Sequence, residues 1–420
     1  MIDYAQALAL ILADALPQET EEVPLAEALG RVLATDICSP VALPGFDNSA
    51  MDGFALCCAG QTLPIGHQVD VVGAQAAGDG RVAADCGAFE IMTGARLPEG
   101  LDSVVPVEQV EVVARTVDGR PRRIRLAAEL PPAQHIRCAG EDVAAGDTVL
   151  AAGRPLAANA VMLLAAIGQD RLRVRRRPRV GLITTGRELA AASAPSLAPG
   201  QIRNSNGPFL AAALTMAGAE VVHRETVGDE VEDFLAAIAR ALAAGAALLI
   251  STGAVSMGRH DFVPAALARI GATVRFHKLA IRPGKPLLYA RLSGGEQFFG
   301  LPGNPASAAV GLRFFVEPAL RSALGMAPET ALMLPLAAAI GKKPGLQHFL
   351  KAAVRLDRWG GPTVSVLSGQ ESFRIRPLAA ANAWVMLPAG STELEAGERV
   401  PVYALSHTSG YAVEETVDAG

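Results

Sequence analysis

The chain has 420 residues, 50% of them hydrophobic and 19% charged, with a formal net charge of -5. That length exceeds one ordinary hydrophobic core and suggests about three domains. The acidic balance speaks against a general nucleic-acid binder, whose domain is usually clearly basic, although a local basic patch can still serve a small anion. No apolar run reaches the roughly 18 residues of a membrane span, and the N-terminus lacks a secretory pattern. A soluble cytoplasmic protein is therefore expected, with Cys38, Cys57, Cys58, Cys86 and Cys138 reduced and without zinc spacing.

Residues 3-16 place Tyr4, Leu8, Ile11, Leu12 and Ala15 at helical spacing, and Pro24 opens a second amphipathic helix through Leu33. From Asp36 short apolar runs are cut by Gly and Pro, in VALPGFDNSAMDGFAL, QVDVVG, GAFEIMTGA and DSVVPVEQVEVV, which predicts a small β domain over about 45-135. A helix follows at Asn159-Ile167, so the first domain reads as discontinuous around a β insert. Arg171-Val180 alternates Leu172 and Val174 with arginines, which reads as an edge strand or linker rather than a nucleic-acid patch.

Between 179 and 325 strand and helix signals alternate. RVGLITTG, GAEVVHRETV and AALLIST are strands; Asn206 and Pro208 start a helix that Gly218 ends. Asp229 with Glu232 forms a capping box before a second helix, and Asp261 caps a third through Ile270. The succession predicts a doubly wound α/β domain on a parallel sheet, with ligands beyond the carboxyl ends of its strands. Those ends carry TTGREL, STGAVSMGRHD and LPGNP. In the last, strand Gln297-Leu301 meets a Pro302-Gly303 turn, Asn304 as N-cap and Pro305 as first helical residue, with Gly325 as the stop. A helix start can hold an anion on unpaired backbone N–H groups, and Lys278, Arg282 and Lys285 lie just upstream. A well-capped turn beside solvated cations is the plainer alternative. Beyond Gly325, LMLPLAAAI, HFLKAAVRLDR, PTVSVLS, ANAWVMLP and ERVPVYAL predict a small β barrel or sandwich.

Asp47, Asp52, Glu141, Asp142, Glu188, Asp229 and Asp261 sit beside glycine or in turns. Oxygen-rich loops suit magnesium, with turn and cap chemistry the alternative for any one of them. TTGREL and STGAVSMG, the latter containing Ser251 and Gly253, could cradle phosphate on backbone N–H groups, and Thr93 could offer a hydroxyl. No Walker A, GxSxG or HExxH occurs, which removes support for a P-loop kinase, a serine hydrolase and a zinc protease.

PGFDNSAMDGFA, IMTGARLPEG, IRCAGED, TTGREL, STGAVSMGRHDF, KLAIRPGKP and GLPGNPAS, in that order, resemble the molybdopterin molybdenumtransferase family, or MoeA family, which includes the E domain of gephyrin. The resemblance covers nearly the whole chain. It implies a multidomain α/β plus β fold: a discontinuous elongated helical domain (1-44 and 136-175), an inserted β domain (45-135), a doubly wound α/β molybdopterin-binding domain (176-326) and a C-terminal β barrel (327-420). It also implies a homodimer with sites between subunits, and insertion of molybdate into adenylylated molybdopterin with Mg2+ and release of AMP. Carried over by motif, Asp52, Thr93, Asp142, Glu188 and Asp261 would be catalytic, with Asp52, Glu188 and Asp261 on magnesium. Arg137, Asp229, Ser251, Gly253, Lys278, Arg282, Lys285, Pro302, Gly303, Asn304, Pro305 and Ser372 would bind substrate. The adenylyltransferase of the same pathway and apo-molybdoenzymes are the implied partners.

Three positions depart from the family pattern: Ala254 where a second Gly is usual, Arg282 where many members have Lys, and Lys351 where Arg is usual. The first leaves its loop less free to take positive φ; the last weakens the case for a bidentate contact to molybdate. A receptor-clustering scaffold and a molybdopterin adenylyltransferase are the competing readings.

Overall fold

Alternating and continuous apolar runs sort the strands into separate sheets in the computed structural model, which describes residues 1-84, 86-255, 262-357 and 360-410 and the backbone of 414-415. Two compact units result: Val23–Leu29 with Thr35–Leu172, and Met1–Glu22 with Gly30–Ala34 and Arg173–Gly420. No helix among the described residues is long and apolar enough to cross a membrane.

The unit formed by Val23–Leu29 and Thr35–Leu172 is built on a six-stranded sheet in the order Ser103–Pro106, Gly53–Leu56, Ala88–Ile91, Gln68–Gln75, Pro121–Leu126, Val110–Arg115. Gln68–Gln75 and Val110–Arg115 alternate exposed and covered positions because one face packs toward Phe54, Leu56, Val105, Ile124 and Leu126, whereas Gly53–Leu56 and Ser103–Pro106 are buried throughout. Beside it, Asn48–Ser49 pairs with Ile136–Arg137, and Ile37–Cys38 with Thr148–Leu150. The helix expected near Asn159 forms as Ala158–Ala166.

The helix expected from Pro24 to Leu33 does not form. Thr20–Pro24 is a strand laddered with Arg171–Arg175, followed by one 3-10 turn, Leu25–Glu27. Strand pairing gives this backbone its partners, Thr20 and Val23 are β-branched, and Gly30 takes a φ of +72°, which stops any helical continuation. The arginine-rich segment is thus a strand with local partners. The Arg173 Nε donates to Thr20 Oγ1 at 3.1 Å, an Arg175 guanidinium to the Gln18 carbonyl at 2.9 Å, and Arg176 pairs with Glu19 at 3.0 Å.

The other unit holds a six-stranded sheet in the order Glu220–Val227, Arg179–Thr185, Leu248–Thr252, Gln297–Leu301, Leu288–Arg291, Thr273–His277. The first four strands pair in parallel, whereas Leu288–Arg291 is antiparallel to both its neighbours, Gln297–Leu301 and Thr273–His277, a departure from the expected parallel sheet. The connection between Leu288–Arg291 and Gln297–Leu301 is a short turn, whereas a parallel crossover needs a dozen or more residues. Leu248–Thr252 and Gln297–Leu301 are buried along their whole length, as strands covered on both faces must be. Leu210 and Leu214 of helix Asn206–Met216 cover one face; Phe234, Ile238 and Ala241 of Val231–Ala243 cover the other. Helix Pro305–Gly311 continues through a π turn, Leu312–Val316, into Glu317–Ala323, and Gly325 follows with a φ of +71°.

The first helix, Tyr4–Ala13, joins this same core: its Ile11 is fully buried and the Tyr4 ring meets Phe315 and Phe349 edge-on, each at 5.4 Å. The remaining sheet runs Ile281–Arg282, Gln347–Leu356, Ala383–Leu387, Arg399–Ala404, Leu332–Pro335, with Pro362–Val366 also paired to Gln347–Leu356. A bridge from Leu336 to Val364 links the far strand back to this one, around a core of Leu334, Leu350, Val354, Val364, Val385 and Val402.

Candidate functional site

Strand Arg179–Thr185 sits between Glu220–Val227 and Leu248–Thr252, so the chain leaves it in one direction and returns on the other side. That reversal opens a crevice beyond the strand ends, where ligands of open α/β sheets bind. A cavity of about 910 Å³ occupies it, lined by Thr184 to Leu189, Ile202 to Asn206, Asp229, Thr252 to Ala254, Gly303 to Pro305, Phe373 and Ile375. The three loops singled out from the sequence thus converge.

Side-chain hydrogen bonds tie the cavity walls together. Asn206 Nδ2 donates to Thr252 Oγ1 at 3.0 Å and to the Gly303 carbonyl at 2.7 Å, joining the start of one helix to two strand ends. Asn204 Nδ2 donates to Thr184 Oγ1 at 2.8 Å and to Thr226 Oγ1 at 3.1 Å, while its Oδ1 accepts from the Gly207 N–H at 2.9 Å. Sequence reasoning read Asn206 only as a helix start. No local pattern announces its bonding role, because its partners Thr252 and Gly303 lie 46 and 97 residues away in sequence.

The loop after Thr252 is tightly wound. Gly253 has a φ of +100°, and a Cβ there would lie 2.6 Å from both the carbonyl and hydroxyl oxygens of Thr185. Ala254 follows with a φ of +51°, so the loop adopts positive φ despite lacking the second glycine. Left-handed backbone strains a residue that carries a Cβ. Ala254→Gly should therefore stabilise the protein by about 0.5–1 kcal/mol after the extra chain entropy of glycine is offset. Urea titration checks this, and a lower midpoint in the variant would contradict it.

Glu188 and Asp229 bring carboxylates to the cavity. The Glu188 side chain folds back over Gly186, where a Cβ would meet its carboxylate at 2.7 Å. The capping role expected for Asp229 is absent, because the helix begins at Val231 with Glu230 as N-cap and no side-chain cap bond. Asp229 is instead part of the cavity wall. Asp261, and its expected cap on the next helix, lie outside the described residues. Ser251 is fully buried with its hydroxyl unpartnered, and its side chain does not reach the cavity lining.

A second cavity of about 440 Å³ brings together Arg282, Lys285, Pro302, Asn304 and Ser372, along with Ser307, Gln370 and Glu371. Asn304 borders both cavities. The helix start beside them differs from the expectation of open N–H groups. Pro305 has no N–H, Ala306 donates to the Ser372 carbonyl at 2.9 Å, and Ser307 and Ala308 donate to Asn304 O. Anion attraction here rests on the two cationic side chains. Lys278 has a φ of +78° and gives its backbone N–H to Leu287 O at 3.1 Å, outside the lining of either cavity.

The remaining predicted residues belong to the other unit. Asp52 Oδ1 accepts from the Thr93 backbone N–H at 2.6 Å and its hydroxyl at 2.9 Å, and these bonds hold the carboxyl below its ordinary pKa. The Arg137 backbone lies opposite Asn48 in the Ile136–Arg137 ladder, and Asp142 gives its N–H to Leu43 O. Glu141 accepts from Cys138 N three residues back, which is turn chemistry, whereas Asp47 accepts from Ala139 N and so ties together two segments distant in sequence. Among the described residues no cluster of three or more His, Cys, Asp or Glu is placed to hold a metal. Magnesium can be bound by one or two carboxylates plus substrate phosphates, and Glu188 and Asp229 are the carboxylates on the wall of the larger cavity.

Comparison with known proteins adds three family matches: the MoeA N-terminal region, domains I and II, over residues 2–168; the probable molybdopterin binding domain over 181–322; and the MoeA C-terminal region, domain IV, over 333–405. A molybdopterin molybdenumtransferase of Synechococcus elongatus is 41% identical, the match covering 96% of this chain and 100% of that one. One of Bacillus subtilis is 35% identical over 93% and 91% of the two chains. The crystal structure of a molybdopterin biosynthesis moeA protein from Pyrococcus horikoshii is 28% identical, with a TM-score of 0.80 over 96% of this chain and 100% of that one.

Proposed function

The chain belongs to the molybdopterin molybdenumtransferase family, the MoeA family, and on that premise we propose that it inserts molybdenum into molybdopterin. The substrates are adenylylated molybdopterin and molybdate, and AMP is the released product. The observation that carries this reading is the pair of unequal cavities meeting at Asn304, the larger lined by Glu188 and Asp229 together with Arg187 and Arg203, the smaller by Arg282 and Lys285 together with Glu371. A large nucleotide-bearing pterin and a small oxyanion need such unequal neighbouring volumes.

Arg282 and Lys285 attract the oxyanion by charge. Thr252 and Asn206 keep the intervening turn in one geometry, so the reacting groups are held in register rather than found by diffusion. Glu188 and Asp229 would hold magnesium, which when bound neutralises the pyrophosphate link between AMP and the pterin. Water adds to the AMP phosphorus as its P–O bond to the pterin phosphate breaks, so AMP leaves with the added oxygen and the pterin keeps its own phosphate; the dithiolene then takes molybdate, one oxo group leaving as water with the two thiol protons. Asp52, whose carboxyl the Thr93 bonds hold below its ordinary pKa, is among the residues the resemblance implies to be catalytic, as are Asp142 and Asp261.

The reading extends to organisation: four domains with the boundaries given by the resemblance, the last a barrel supported by the Leu336–Val364 bridge, in a cytoplasmic homodimer that works with the pathway's adenylyltransferase and hands its product to apo-molybdoenzymes. Incubation with adenylylated molybdopterin and molybdate, with and without Mg2+, should give AMP and cofactor in equal amounts only when magnesium is present. A scaffold would release no AMP, and an adenylyltransferase would consume ATP; either result overturns the reading.

A further inference from the structure

Lys351 lies in strand Gln347–Leu356 and is 1% exposed, the only lysine among the largest fully buried side chains of the described residues. A buried ammonium must find acceptors for its three N–H groups. It finds them in one loop: Nζ donates to the carbonyls of Gly369 at 2.7 Å, Glu371 at 3.3 Å and Arg374 at 3.4 Å. The main chain reinforces the clamp, with Lys351 N donating to Gln370 Oε1 at 3.0 Å and Gln370 Nε2 donating back to Lys351 O at 2.8 Å.

This loop is the wall shared by the two cavities. Gln370, Glu371 and Ser372 border the smaller one, and Phe373 and Ile375 border the larger. Between them the Ser372 carbonyl accepts from Ala306 N and pins the loop to the helix that follows the LPGNP turn. Lys351 itself lines neither cavity. We propose that Lys351 is a positioning residue, whose ammonium sets the Gly369 to Arg374 loop as the partition between two substrate subsites and is fully committed to that loop rather than to the oxyanion. The assignment of substrates to the cavities rests on the function proposed above; the clamp does not.

Lys351→Met keeps an unbranched side chain out to Cε and removes all three donors. Hydrogen exchange of the substrate-free protein should then quicken about tenfold or more at loop amides, at Ala306 and at residue 351, whose N–H is held by Gln370, with the other amides of Gln347–Leu356 unchanged. In turnover the KM for molybdate and for adenylylated molybdopterin should rise together by about tenfold, because one wall serves both sites. A rise in molybdate KM alone, with loop exchange unchanged, would overturn the proposal in favour of a direct oxyanion ligand. Faster exchange throughout the sheet would overturn it in favour of a general structural role. Should Lys351→Met fail to fold, Lys351→Arg carries the same test: a planar fork cannot meet three carbonyls that converge on a point donor, so the loop should again loosen, and an unchanged loop with a lower molybdate KM would refute the clamp. Wild-type protein that released no AMP would refute the function while leaving the exchange result to decide the clamp.

Discussion

Gly253→Val should lower the stability of the protein by about 3 kcal/mol or more and remove turnover. Two penalties add there. The backbone is left-handed, with a φ of +100°, where a β-branched residue is a genuine outlier and even an ordinary side chain costs about 1–2 kcal/mol. The new Cβ would also lie 2.6 Å from the Thr185 carbonyl oxygen, a backbone atom that cannot swing away, and relieving such overpacking typically costs another ~1–3 kcal/mol. The shift that does relieve it must part the ends of Arg179–Thr185 and Leu248–Thr252, between which the larger cavity opens. Denaturant unfolding measures the first effect and AMP release the second. An unchanged unfolding midpoint would mean that the loop has room the geometry denies it.

Glu188→Gln and Asp229→Asn should each lower the rate of magnesium-dependent AMP release by about 100-fold, corresponding to about 2.7 kcal/mol of transition-state stabilisation. Both substitutions keep side-chain volume and remove charge. Glu188 is exposed and Asp229 half-buried, and neither caps a helix, so stability should change by no more than about 0.5 kcal/mol. If the two serve one metal and one pyrophosphate, the double variant should lose far less than the product of the single losses. Full additivity would separate them into independent roles, and normal AMP release by both single variants would return Glu188 and Asp229 to the status of turn residues.

Local signals carried much of the reading because they act over a few residues. The strand, turn and N1 proline of Gln297 to Pro305 appear as expected, since Pro305 can open a helix and Asn304 can precede one whatever lies around them. Where a local signal competed with pairing, it lost: Pro24 suggested a helix start, but the Thr20–Pro24 strand found partners in Arg171–Arg175, far along the chain. Asp229 and Glu232 match a capping pattern, yet the N-cap falls one residue later, at Glu230, and Asp229 is a cavity residue instead.

The sequence by itself determined the alternation of strands and helices between 179 and 325, the loops at their ends and the family to which the chain belongs. These depend on periodicity, turn chemistry and motif order, all of which are written along the chain. Only the tertiary structure decided that Asn206 braces Thr252 and Gly303, that the donors at the Pro305–Gly311 helix start are already engaged, and that Lys351 spends its charge on a loop. The physical reason is the same in each case. A donor's partner is whichever acceptor folding brings within about 3 Å, and for these groups that acceptor is set by packing between distant segments rather than by neighbours in sequence.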